Sequence, residues 1–127
     1  MVTWNNLNTL ASFQALSETE RVDLVSAMTG ENGAERVKNY SIPMAAGLAY
    51  NYAAKQVDEK VLDALVKLAE EAQLGEKFAA LYNGEVINTG EKRLVLHHMT
   101  RGQLGEAVEA DGVDKRAFYV EQQERIA

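Results

Sequence analysis

The sequence predicts a mainly α-helical protein, and three observations support this class. Apolar residues recur at helical spacing along most of the chain, and two very short strands are expected only about Asp111-Gly112, a good hairpin turn pair. Pro43 is the single proline, so no proline-rich linker divides the chain. The 127 residues are 46% apolar and 25% charged, which is ordinary for a globular protein. We therefore expect one helical unit over residues 1–127, with a very short hairpin near residues 106–114.

The charge and composition exclude several functional classes. The formal net charge is −6 and the thirteen basic residues are scattered, which disfavours binding to nucleic-acid phosphates. Without cysteine, the chain has no disulfide, thiolate nucleophile or thiolate metal site. No apolar run approaches the roughly 18 residues of a membrane span, and residues 1–16 lack a signal-peptide pattern. We expect a cytoplasmic protein that binds neither nucleic acid nor membrane.

The first third of the chain has two helical patterns. Apolar side chains from Trp4 to Phe13 predict a helix of about three turns, with Trp4 as a core anchor or helix staple. Ser17-Glu-Thr-Glu20 has the form of a capping box, which predicts that the second helix begins there. Glycines in the segment 29–33 predict its end through a left-handed C-cap.

Around the single proline, the pattern changes. Residues 40–44 predict a short extended piece, because proline disfavours helical geometry in the residue before it. Residues 45–55 are rich in small side chains and predict a closely packed helix. On that helix, Tyr50 and Tyr52 would lie on different faces, so we do not expect a joint stacking platform.

The clearest helical pattern runs from Asp58 to Gln73, with Asp58 as a plausible N-cap. Leu74-Gly75 is expected to break it, and a further helix from Glu76 to Tyr82 is expected to end at Gly84. A last helix is expected from Asp114 onward. The apolar stripe of the 58–73 helix consists of Val61, Leu62, Leu65, Leu68, Ala69 and Ala72.

A polar connector between Gly84 and Arg93 precedes the apolar segment Leu94 to Met99. We interpret Asn88 as a turn residue whose side chain bonds nearby backbone. Glu91 and Arg93 have two interpretations, an internal ion pair or helix cap and an anion contact, and the structural one is favoured. Arg101 could bind a phosphate, but a single arginine without a glycine-rich loop is weak evidence.

The only two histidines, His97 and His98, are adjacent. Adjacent helical residues point about 100° apart, so the pair cannot share a metal ion as an i, i+4 pair would. We expect His97 to pack inside the fold and His98 to be partly exposed. No catalytic, cofactor-binding or metal-binding residue is predicted in this chain.

The segments Gly84-Glu-Val-Ile-Asn88, Glu91-Lys-Arg93, Leu94-Val-Leu-His97 and Arg101 resemble the N-terminal signature of the glucose-6-phosphate isomerase family. Their spacing matches the family pattern without a gap. The sequence departs from that pattern at four positions, which are Val86 for lysine, Gly90 for threonine, Leu94 for alanine and Gly102 for asparagine. Because glycine replaces the threonine at position 90, the family's turn geometry and any cap by that threonine are not carried over to this chain.

The resemblance implies an aldose–ketose isomerase that interconverts glucose 6-phosphate and fructose 6-phosphate through an enediol, in glycolysis and gluconeogenesis. It covers the chain from Trp4 onward, but only an N-terminal portion of the family's length. The family's phosphate-binding, acid and base residues lie in later segments that are absent here, so none is carried over. The implied partners are the remainder of the isomerase chain and, for the full-length enzyme, a second subunit. We expect this chain alone to be inactive and structural.

Two other functional classes were considered. A stand-alone helical interaction module would use the apolar stripe at residues 61–72 to bind a partner helix. An independent small enzyme is disfavoured, because no convergent acid, base and nucleophile appear in the sequence.

Overall fold

The computed structural model describes residues 2–101 and 106–127, with the backbone alone at Arg101. It has six α-helices and two short antiparallel strand pairs, so the prediction of a mainly α-helical chain is confirmed. Contacts divide the chain into two compact units. One is Asn6–Glu71, and the other combines Met1–Asn5 with Ala72–Ala127. We describe each unit by itself, and the single unit over 1–127 stays a prediction.

The 6–71 unit contains four helices and one strand pair. The amphipathic helix α4 packs against α1, and the two strands pair antiparallel with Ile42 opposite Tyr50. Short 3-10 turns at Leu7–Thr9 and Ala45–Gly47 complete the unit. Its elements are α1 (Ala11–Ser17), α2 (Leu24–Thr29), α3 (Gly33–Asn39), β1 (Ser41–Pro43), β2 (Ala49–Asn51) and α4 (Glu59–Glu71).

The prediction of a continuous helix from Trp4 to Phe13 is wrong. Leu10 is extended, with φ −87° and ψ 141°, and it separates the 3-10 turn from α1. Trp4 is 41% exposed, so it is not a core anchor. The spacing of its apolar neighbours was compatible with a helix, but the chain breaks where Glu71 supplies hydrogen bonds to the start of α1.

The predicted capping box at residues 17–20 is also wrong. Ser17 is the last residue of α1, and its hydroxyl donates to the Gln14 carbonyl at 2.7 Å. Asp23 caps α2 instead, accepting from the amides of Val25 and Ser26 at 3.1 and 3.2 Å. The helix ends at Thr29, within the predicted segment, but the following Gly30 has φ −71° and forms no left-handed cap.

The segment 45–55 is not a helix. Ala46 and Gly47 take φ values of +57° and +72°, which reverse the chain and let β2 return along β1. The amide of Met44 donates to the Leu48 carbonyl at 2.8 Å and closes the turn. The predicted extended piece at residues 40–44 is confirmed as β1, and strand pairing with it overrides the helical preference of the alanines in segment 45–55.

The prediction for the longest helix is confirmed. Asp58 accepts a 2.9 Å hydrogen bond from the Val61 amide and stands immediately before α4. The predicted break at Leu74-Gly75 is wrong, because the helix already ends at Glu71 and Gln73 adopts the left-handed conformation at φ +54°. The next helix then begins at Leu74, and Gly75 lies inside it.

The second unit contains two helices and the second strand pair. Its elements are α5 (Leu74–Tyr82), a 3-10 turn (His97–Arg101), β3 (Glu109–Ala110), β4 (Val113–Asp114) and α6 (Lys115–Ile126). Asp111 and Gly112 have φ values of +54° and +71°, which is the backbone that a two-residue hairpin turn requires. The predicted hairpin near 106–114 and the helix after Asp114 are therefore both confirmed.

Few apolar side chains are buried in the described part of the chain. The buried ones are Ala53, Ala72, Ala80, Met99 and Val108. Many larger apolar side chains are more than a third exposed, including Leu74 at 58% and Phe78 at 59%. None of the helices among the described residues has the length and apolar character needed to cross a membrane.

Candidate functional site

The polar connector forms a closed local turn. Asn88 and Arg93 pair as an antiparallel bridge, with N–O distances of 3.3 and 3.2 Å. The Asn88 side chain accepts from the Glu91 amide at 3.1 Å, and its amide nitrogen donates to the Glu91 carboxylate at 3.2 Å. The interpretation of Asn88 as a turn residue that bonds local backbone is therefore confirmed.

The Gly90 departure does not disturb this turn. A Cβ added at Gly90 would meet Asn88 Oδ1 at 3.7 Å, an ordinary van der Waals contact, and Gly90 does not adopt a positive φ. The left-handed residue is Lys92, at φ +54°. A side chain at position 90 would therefore fit, and the turn does not depend on glycine there.

Glu91 and Arg93 form a surface ion pair. Arg93 Nη1 lies 3.7 Å from Glu91 Oε2, and the two side chains are 75% and 63% exposed. At this exposure, water screens the pair and it contributes little to stability. The geometry favours the structural interpretation over an anion contact. The side chain of Arg101 lies outside the described residues, so its phosphate contact remains a prediction.

Of the two expectations for the histidines, the one for His98 is confirmed, because its burial is intermediate, and the one for His97 is not. His97 is exposed, which makes the expectation of an internal His97 wrong. His98 is the more enclosed of the two, and its ring lies 4.6 Å from the Tyr82 ring, centroid to centroid. Burial, and then the positive charge of Arg116, lower the pKa of His98. A 3-10 turn rather than an α-helix carries both residues, so the helical spacing assumed for them does not apply.

The described residues contain no group of three or more His, Asp or Glu side chains that would hold a metal ion. Among the described side chains of the signature segment, the acidic and basic groups do not converge on a common point with the histidines. Glu91 and Arg93 face solvent, and His98 faces Tyr82. Among the described residues, these side chains stabilise a turn and pack a joint.

An aromatic cluster was missed by the sequence reasoning. The rings of Tyr50 and Tyr52 lie 6.2 Å apart with an interplanar angle of 23°, so the expectation that they cannot stack is wrong. Tyr40 lies 5.0 Å from Tyr52, and the Arg36 guanidinium lies 4.2 Å above the Tyr40 ring. Side chains two positions apart point to the same side of an extended chain. The alternation of Tyr50 and Tyr52 about Asn51 was the sequence signal that could have predicted this stacking.

Comparison with known families decides the assignment. The sequence profile of the family described as phosphoglucose isomerase matches residues 51–126, more than half of the chain. The chain belongs to the phosphoglucose isomerase family. The resemblance carried by the segment from Gly84 to Arg101 is thereby confirmed.

Individual isomerases match almost the whole chain. The glucose-6-phosphate isomerase of Treponema denticola is 45% identical over 128 aligned positions, covering 97% of this chain and 24% of that protein. The enzyme of Treponema pallidum strain Nichols is 42% identical, and that of Borreliella afzelii is 38% identical over 99% of this chain. The chain thus spans about a quarter of the length of the curated relatives it matches, in their N-terminal region.

Proposed function

We propose that this chain forms the N-terminal quarter of a glucose-6-phosphate isomerase. The complete enzyme would interconvert glucose 6-phosphate and fructose 6-phosphate in the cytoplasm, as a homodimer. The observation that carries the proposal is the match itself, since 97% of this chain aligns with 24% of the Treponema denticola isomerase. The proposed role of the chain is structural, because its acidic and basic side chains do not converge.

Exposed apolar side chains on the β1–β2 hairpin support a packing role. Ile42 is 52% exposed, Met44 56% and Leu48 65%. A contiguous exposed apolar patch on a soluble protein commonly marks a contact surface. We infer that the remainder of the isomerase chain covers this hairpin.

Helices α5 and α6 add support of the same kind. On α5, Leu74, Phe78 and Tyr82 are four residues apart, so they form one stripe, and all three are more than a third exposed. On α6, Phe118 is 50% exposed and Ile126 86%. The exposed apolar faces of α5 and α6 are available for packing against further protein.

Catalysis would require a carboxylate base that moves a proton between C1 and C2, and a second group that opens the sugar ring. We infer that both come from the part of the enzyme beyond this chain. The proposal therefore predicts no isomerase turnover by residues 1–127 alone.

The test is a chimera. Residues 1–127 would replace the aligned N-terminal part of the Treponema denticola isomerase, and turnover of fructose 6-phosphate would be followed by coupling to glucose-6-phosphate dehydrogenase. We expect activity from the chimera and none from either piece alone. The matched control carries Gly84→Ala, which is designed to disrupt packing inside the grafted segment.

Two results would contradict the proposal. One is turnover by the 127-residue chain alone after removal of contaminating enzyme. The other is a source gene whose reading frame stops after codon 127, which would favour a stand-alone interaction module.

A further inference from the structure

We propose that His98 makes the joint between α5, the 3-10 turn and α6 acid-sensitive. The joint would hold with a neutral imidazole and loosen when the imidazole takes up a proton. This inference concerns the second unit of the chain and does not rest on the proposed function.

The first step is the environment of the ring. The Nδ1 and Nε2 atoms of His98 are both buried and have no hydrogen-bond partner among the described residues. The ring lies against Tyr82, at 4.6 Å between centroids and an angle of 32°. A neutral imidazole leaves one N–H and one lone pair unsatisfied here, whereas an imidazolium would bury a charge and two donors.

The second step is the charge that faces the ring. Arg116, from the first turn of α6, acts on His98 and disfavours a second positive charge beside it. The Arg116 guanidinium is held at the joint, because its Nη2 donates to the Tyr82 carbonyl at 2.6 Å. It therefore cannot move far from His98 without breaking this contact.

The third step is that no described residue supplies a compensating anion at the ring. Asp114 is the nearest acidic residue of α6 in sequence, and its Oδ1 accepts from the amides of Val108 and Arg116. The α5 side of the ring presents the aromatic ring of Tyr82. Within the described residues, Arg116 is the charged group that acts on the imidazole.

The direction of the pH effect follows from these contacts. Burial, followed by the Arg116 charge, lowers the pKa of His98 below 6.5, so the unfolded chain binds more protons than the folded chain below that pH. The contribution of the neutral His98 ring to the stability of the second unit is fully present above pH 6.5. It is lost as the pH falls toward the folded-state pKa, by up to about tenfold in the unfolding equilibrium constant per pH unit.

The test uses the 127-residue chain. Trp4 is the only tryptophan and belongs to the same unit as His98, so its fluorescence reports unfolding of that unit in urea. Unfolding midpoints would be measured between pH 5 and pH 8 for the wild type, His98→Phe and His97→Phe. Phenylalanine keeps an aromatic ring beside Tyr82 and cannot be protonated, and His97 is the exposed neighbour.

We expect the midpoint to fall on acidification for the wild type and His97→Phe, and to change much less for His98→Phe. Equal pH dependence in all three proteins would overturn the proposal. If His98→Phe does not fold, the NMR titration of the two histidine rings in the wild type decides. A His98 midpoint below 6.5 supports the proposal, and one at or above 6.5 overturns it.

Discussion

The carboxylate of Glu71 accepts a 2.8 Å hydrogen bond from the backbone amide of Ser12, 59 residues earlier in the chain. The same carboxylate accepts from the Ala11 amide at 3.3 Å. These two residues open α1, and the preceding Leu10 has no side-chain acceptor for their amides. The last residue of α4 therefore caps the first turn of α1.

We predict that Glu71→Ala uncaps α1. Helix N-terminal amides need an acceptor, and neither Leu10 nor alanine at position 71 provides one. Hydrogen–deuterium exchange should accelerate at the amides of Ala11 and Ser12, and the thermal midpoint should fall. Glu70→Ala, at the exposed neighbouring position of α4, is the control and should leave both unchanged. Equal exchange rates in the two variants would contradict the capping role.

The same contact predicts a pH dependence. The Ser12 hydroxyl, then the amides of Ser12 and Ala11, lower the pKa of Glu71 below 4.5. Because the Ser12 hydroxyl makes no hydrogen bond of good geometry among the described residues, the two backbone amides hold the carboxylate. Because the folded-state pKa is depressed, the stabilisation is present above pH 4.5 and is lost as the pH falls through the folded pKa. Thermal melts from pH 6 to pH 3 should therefore converge for wild type and Glu71→Ala. If the difference in melting temperature between the two proteins stayed constant over this pH range, the pH dependence of the cap would be contradicted.

A matched pair of glycines separates backbone strain from steric overlap. Gly84 and Gly112 have nearly the same φ, +72° and +71°. A Cβ on Gly84 would overlap the buried side chain of Val108, whereas a Cβ on Gly112 would have nothing within 4 Å. We predict that Gly112→Ala costs about 1 kcal/mol from the left-handed backbone alone. Gly84→Ala should cost a further 1–3 kcal/mol or so from overpacking.

Urea unfolding followed by Trp4 fluorescence measures both costs, since both glycines lie in the same unit as Trp4. Equal losses from the two substitutions would mean that Val108 moves aside without cost. That result would remove the steric explanation for glycine at position 84.

Arg36 connects α3 by hydrogen bonds to the segment that follows β2. Its guanidinium donates to the carbonyls of Ala53, Lys55 and Val57 at 2.8, 3.0 and 2.7 Å. We predict that Arg36→Lys destabilises the 6–71 unit by roughly 1.5–3 kcal/mol, because a lysine ammonium cannot reproduce the planar arrangement of donors.

The measurement is thermal unfolding by circular dichroism. The control is Lys38→Ala, which removes an exposed ion pair with Glu35 on the same helix and should change stability by less than about 1 kcal/mol. An Arg36→Lys variant as stable as this control would show that the three carbonyls are satisfied without the guanidinium.

Asp114 connects the second hairpin to α6. Its Oδ1 accepts from the Arg116 amide at 2.9 Å and from the amide of the buried Val108 at 3.3 Å. We predict that Asp114→Ala costs about 1 kcal/mol, whereas Asp114→Asn, which retains a capping oxygen, costs less. The comparison is made by urea unfolding, and equal midpoints for the two variants would contradict the capping role.

Local signals predicted part of this fold well. Asp58 before an amphipathic run gave the start of α4, and Asp111-Gly112 gave the second hairpin, because both depend on side chains within a few residues. The start of α1 was missed since its cap is Glu71, which no local pattern reveals. Tyr50 and Tyr52 were misplaced because strand pairing with residues 41–43 decides their conformation.

In the signature segment too, features set by neighbouring residues were predicted and features set by distant residues were not. Its spacing revealed the family, and the side-chain bonds of Asn88 followed from turn chemistry. The exposure of His97 did not follow, and neither did the position of His98 near Tyr82 and Arg116, which come from helices on either side in sequence. Burial of that kind depends on tertiary packing rather than on neighbouring residues.

The exposed edges of the β1–β2 hairpin affect the tendency of the separated chain to aggregate. A two-stranded sheet has an outer edge on each strand, and an open edge can template aggregation. Pro43 lacks an amide hydrogen, which blunts the edge of β1. The edge of β2, Ala49–Asn51, has no such protection. Self-association of the separated chain should therefore begin at β2, and a lysine placed at Ala49 would be the first substitution to try for keeping it in solution.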